Sequence, residues 1–271
     1  MLKTLIRMEW YRFWKSRIIR LSFIIIPFII FITSKYIMRM NSEQPGLVNS
    51  TSFTYLVLKE QITLIMDLLV IYYLVSSITQ EFRSGEIRMI LSRGVKKEKI
   101  IAAKVLVVSV VMAAYMLLYG LFAYIYANNF IPNGNSIIIN HLGKVQIKGI
   151  QAALYTIKFY IIAYITILSF MALISFICVV SKSITIASGI TVGVWLMLEI
   201  YPKICSIFIK NVNALMLTAS TSIEFIQEYM ISALAVISLK NNITIILIIL
   251  LYGIIFYSAS VYFIKKENYL E

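Results

Sequence analysis

Charge is scarce in this chain. Only 14% of its 271 residues are Asp, Glu, Lys or Arg and 61% are apolar, whereas a soluble domain carries about 25% charged residues. No soluble fold of this length has interior enough to hide that surface, so lipid must take part of it. Histidine occurs once, at His141, with no cysteine or acidic cluster beside it, which argues against a metal site. The two cysteines, Cys178 and Cys205, fall at opposite ends of neighbouring apolar runs and do not read as a disulfide. No GxxxxGK[ST] stretch is present, so the chain lacks a phosphate-cradling loop and is not expected to bind ATP and Mg itself. Neither HExxH nor a Ser-His-Asp or Cys-His set can be assembled, and an enzymatic role is not expected. Of the four prolines, Pro27 alone lies within an expected crossing, where it predicts a kink.

What the chain has is long, continuous apolar runs. A helix needs roughly 20 apolar residues to cross the hydrocarbon core, and backbone groups in lipid must be satisfied within the element. The runs do not alternate, which excludes a barrel. Six crossings are expected, at about 18–38, 59–79, 101–127, 156–180, 184–201 and 244–264, in a single transmembrane domain spanning 1–271. The segment 202–243 is semi-apolar but broken by Pro202, Lys203, Lys210, Glu224 and Glu228. It reads as re-entrant or surface helices on the outer side.

The net charge of +13 does not mark a nucleic-acid binder, because the basic residues cluster between apolar runs. Sixteen of the 25 fall on one side: six in 3–20, seven in 83–104, then Lys182, Lys265 and Lys266. By the positive-inside rule that side is the cytoplasm, with both termini there. No small-residue cleavage site follows the first run, so it reads as a retained anchor.

Residues 1–17 precede the first crossing. Leu2, Leu5, Ile6, Trp10 and Phe13 share one helical face and Arg7, Arg12 and Lys15 the other, the pattern of a helix lying in the membrane interface. Glu9 falls amid the apolar face and needs water or a protein partner. The link 80–100 contains Ile87, Ile90 and Leu91 at helical spacing, then Gly94, which ends a helix. This predicts a short amphipathic helix on the cytoplasmic side. Glu60 and Asp67, seven apart in the second run, share a face that should point to protein or water. Tyr72, Tyr73, Tyr115, Tyr119, Tyr124 and Tyr126 either line a path or pack between helices.

The stretch from Gln80 to Lys104, QEFRSGEIRMILSRGVKKEKIIAAK, resembles the first cytoplasmic loop of permease subunits of type-2 ABC exporters. The shared features are Glu81, Gly85, a short helix over Ile87–Leu91, Ser92, Gly94, the basic cluster Lys96–Lys99 and Lys104. MEWYRFWKSR is similar to that family's interfacial helix, and the layout of six spans with a very short link between the fourth and fifth agrees. The resemblance implies an all-α polytopic membrane fold with an N-terminal interfacial helix and a cytoplasmic coupling helix. It implies two permease subunits, identical or homologous, forming a pathway in the bacterial plasma membrane. Two separate ATPase subunits would bind ATP and Mg and dock on Glu81, Gly85, Glu86, Ile87, Arg88, Ile90 and Leu91, with Glu9, Trp10 and Phe13 in a second contact. Small permeases with short outer loops resemble those exporting antibiotic or amphipathic peptides.

Two other readings remain open on sequence alone. An ion-coupled secondary transporter would use Asp67 as its cation site, although no internal repeat is evident. A membrane immunity protein that sequesters a toxin would need no pathway at all.

Overall fold

The computed structural model describes residues 2–43, 48–84, 94–139, 145–181, 183–209, 211–236 and 243–266. Helix α1 (Leu2–Lys15) ends at Ser16, whose extended backbone separates it from α2 (Arg17–Ile24). Helix α3 (Ile26–Glu43) restarts with Pro27 in its first turn, where a missing N–H is tolerated. α2 and α3 therefore meet at 44°. Next, α4 (Ser50–Gln61) runs through a π-helical turn (Ile62–Met66) into α5 (Asp67–Ser84). Helix α6 (Lys97–Phe130) leads to a hairpin, β1 (Ser136–Ile139) and β2 (Val145–Lys148). Helices α7 (Ile150–Ser181) and α8 (Ile184–Phe208) follow. After α9 (Val212–Ala219), α10 (Ile223–Phe225) passes through a second π-helical turn (Ile226–Met230) into α11 (Ile231–Val236). The last helix is α12 (Ile243–Lys266).

Among the described residues, five segments are long and apolar enough to cross a membrane: Ser50–Gln80, Lys97–Phe130, Ile150–Ser181, Ile184–Phe208 and Ile243–Lys266. The bent α2–α3 pair makes a sixth. The chain is an all-α polytopic membrane protein carrying one small antiparallel hairpin, with Ser136 opposite Lys148 and Ile139 opposite Val145. The alternation in Val-Gln-Ile-Lys at 145–148 is the strand signal in that link.

Helix α7 is the central post. Phe159, Ala163, Ile167, Phe170, Ile174 and Cys178 recur every three or four residues and are fully enclosed, and α7 packs against α4, α5, α11 and α12. By contrast α8 and α12 keep most of their apolar surface exposed, which only lipid or another apolar partner can cover.

Two ion pairs fix the sidedness of the bundle. Lys265 at the end of α12 lies 3.2 Å from Glu98 at the start of α6. Glu9 of α1 lies 3.0 Å from Lys104, six residues further along α6. The N-terminal helix and the last helical turn thus share the face that holds residues 94–104. The opposite face carries the hairpin and the start of α4. There Asn49 caps α4 by accepting from the Thr51 and Ser52 backbone N–H groups and donates to the Ser136 carbonyl at 2.6 Å. Gly134 allows that approach, since a Cβ there would lie 2.6 Å from the Asn49 Cβ. Because of this cap α4 begins at Ser50, nine residues before the crossing expected from hydropathy.

Helix α8 runs straight past Pro202, where the apolar run was expected to end. A proline inside a helix leaves the carbonyl four residues back without its N–H partner. That carbonyl is Leu198's, and the Ser222 hydroxyl donates to it at 2.6 Å. Ser222 also precedes α10 and accepts from the Phe225 N–H. The turn between α9 and α10 is therefore plugged into the middle of α8. Tyr252 of α12 donates to the Thr221 carbonyl (2.7 Å) and Tyr155 of α7 to that of Ser232 (3.2 Å). The segment 223–236 is about 21 Å long, too short to cross. It starts beside Leu198, in the middle of α8, and runs back toward the hairpin-bearing face, where Ser232 meets Tyr155.

Candidate functional site

Among the described residues, charged side chains are buried in the apolar interior at two places. The first lies on the face shared by both ends. Leu5, Glu9 and Phe13 form the buried stripe of α1, each less than 9% exposed. Phe13 packs edge-on against Tyr73 of α5, with ring centroids 5.1 Å apart. Trp10, by contrast, is 38% exposed on the flank. Glu9 belongs in the stripe because Lys104, 1% exposed, meets it there. The same ammonium donates to the Ser77 carbonyl of α5 at 2.8 Å. One cation thus joins α1, α5 and α6 just before α5 leads toward residue 85.

The second place is at mid-depth. Asp67 opens α5 directly after one π-helical turn, and Gln227 lies within the other. The two turns pack against each other. Such turns break the regular hydrogen-bond ladder and often mark functional positions. The Gln227 amide donates to Asp67 Oδ1 at 3.4 Å. Glu224, one turn earlier on the same face, directs its carboxyl toward Asp67. Asp67, Glu224 and Gln227 are all completely buried. Trp195 of α8 closes the side, its indole N–H donating to the Thr63 carbonyl at 3.1 Å.

Glu81 falls in the last turn of α5, while Gly85, Glu86, Ile87, Arg88, Ile90 and Leu91 lie outside the described residues, as does His141. Gly94 takes a left-handed φ of +73°, as a helix-ending glycine would. Glu60 is half-buried and Asp67 fully buried. The π-helical turn between them adds a residue, which rotates their faces apart by about 100° relative to a regular helix. Tyr73, Tyr115 and Tyr119 are wholly enclosed, Tyr72 and Tyr126 are half-buried, and Tyr124 faces outward. The tyrosines therefore pack between helices more than they line a path.

Sequence reasoning missed Glu224 and Gln227 as partners of Asp67 and placed Glu224 in an outer segment as a breaker. Their spacing of three in an otherwise apolar stretch was the available signal. Among the described residues no group of three or more His, Cys, Asp or Glu is placed to hold a metal ion.

A comparison with curated proteins finds no match. The family described as ABC-2 family transporter protein matches residues 5–198, from the buried stripe of α1 to the middle of α8. With that match over most of its length and its membrane-spanning helices, this chain belongs to the ABC-2 transporter permease family.

Proposed function

We propose that the chain is the membrane subunit of an ABC exporter, driven by ATP hydrolysis on separate cytoplasmic ATPase subunits. Family membership supports a transporter permease that needs such a partner. The observation that carries the coupling reading is the Lys104 ammonium, which binds the N-terminal helix and the root of the 81–91 segment into one body. Force applied to either would move both, together with α6. Two permeases and two ATPases form the working assembly in this reading, with the shared face toward the cytoplasm of a bacterial cell. The substrate class is an amphipathic or antimicrobial peptide or drug.

Co-purification tests the proposal. Full-length protein expressed with its ATPase should retain it, and combined replacement of Glu86, Arg88 and Leu91 should abolish both retention and transport-stimulated ATP hydrolysis. Undiminished binding and transport in that variant would sink the coupling assignment. The burial of Asp67 against Glu224 keeps ion-coupled transport in view as a second reading. Transport that persists without ATP but collapses in Asp67→Asn would favour it.

A further inference from the structure

The carboxyls of Asp67 and Glu224 meet where no water reaches them. Both side chains have no exposed surface. Asp67 Oδ2, both Glu224 carboxyl oxygens and Gln227 Oε1 have no hydrogen-bond donor. The Gln227 amide donates to Asp67 Oδ1, and the Trp195 indole N–H, bonded to the Thr63 carbonyl, lies close enough to interact with the Glu224 carboxyl. Two adjacent buried carboxylates repel each other, and each loses its hydration, so the doubly ionised pair is unfavourable without a positive charge between them. The donor set is all oxygen, which suits a proton or a hard alkali cation and not a thiophilic metal.

The surroundings do not supply that charge. Lys203 of α8 is exposed at the outer cleft and paired with Glu199. Glu199 acts on Glu224 as a further negative charge. Glu228 lies within electrostatic reach of Glu60 on α4 and of Lys203. Lys158, the one charged residue of α7, points outward, and Lys265 and Lys266 of α12 sit at the opposite face. In a chain of net charge +13, five of the twelve acidic residues gather here: Glu60, Asp67, Glu199, Glu224 and Glu228. A cleft of about 190 Å³ beside Phe225 is lined by Glu199 and Glu228 together with Lys203, Ser206 and Tyr229. Its net negative charge favours cations.

We propose that Asp67 and Glu224, with the Gln227 carbonyl, form a binding site for one small inorganic cation at the contact between the π-helical turn of the second span and the re-entrant helix. One monovalent cation relieves the repulsion between the two carboxyls, leaves the pair with a single net negative charge, and holds the re-entrant helix against α5. Both carboxyls are completely buried, so the site is distinct from a peptide pathway. It stands whether or not the exporter reading holds, because its test reads binding in the isolated permease.

Trp195 provides the reporter. Replacing Trp10 and Trp14 with Phe leaves it as the single tryptophan of the full-length protein in detergent or nanodiscs. Its emission should respond to pH between about 5 and 9, to sodium at constant ionic strength, or to both, with choline inert. A protonated-carboxyl stretch in infrared spectra at neutral pH identifies a proton as occupant. A sodium-dependent emission change without that band identifies an alkali cation. Glu224→Gln and Asp67→Asn, each nearly isosteric, should remove the response and the band. A wild-type protein silent to both cations, or a response unchanged in these two variants, would overturn the proposal.

Discussion

Glu9 and Lys104 are 95 positions apart in sequence and 3.0 Å apart in space, both nearly sealed from solvent. Removing one partner of such a pair strands a charge, at about 3–5 kcal/mol. Lys104→Met or Glu9→Gln should therefore lower the thermal midpoint sharply in detergent. The double variant Glu9→Leu with Lys104→Met should recover most of the loss, because neither charge is then left alone. A double variant that is destabilised by the sum of the singles would show that the two do not interact.

The close approach at the hairpin-bearing face predicts a contrast between two glycines. Gly134→Ala places a Cβ 2.6 Å from the Asn49 Cβ and should cost about 1–3 kcal/mol. Gly189→Ala in α8 meets nothing within 4 Å and should be neutral or mildly stabilising, by up to about 1 kcal/mol. Paired melting curves distinguish them, and equal losses would refute the packing at the α4 cap.

Ser222→Ala removes both the cap of α10 and the donor to Leu198. A loss of about 1–2 kcal/mol is expected. It should be concentrated in the re-entrant segment, so hydrogen exchange should accelerate over 212–236 and stay unchanged over α7. Uniform acceleration would mean the hairpin is not docked through that serine.

Sidedness is open to cysteine labelling. With Cys178 and Cys205 replaced by Ala, Met216→Cys and Ser183→Cys should react with an impermeant maleimide from opposite sides of intact cells. Met216→Cys should react from outside in the exporter reading. Labelling of both from one side would contradict the bundle.

The crossings were legible because lipid imposes a length and a composition that any helix must meet. Glu9 announced that it needed a partner. Its partner Lys104 was visible as a residue but not as a contact, since nothing local reports which apolar faces meet. Glu224 was harder still. A single carboxyl in a semi-apolar stretch marks an interruption on any hydropathy scale, and only the folded chain brings it to Asp67. The π-helical turns had no signature in composition, yet they set which way Asp67 and Gln227 face.

Pro202 inverts the usual logic of helix repair. Restoring its N–H with Pro202→Ala would let α8 close its own ladder at Leu198, and on propensity alone the helix would gain. The regained bond would compete with the Ser222 hydroxyl for that carbonyl. A substitution that perfects one helix should thus unfasten another, so the proline works as a socket cut into the backbone of α8.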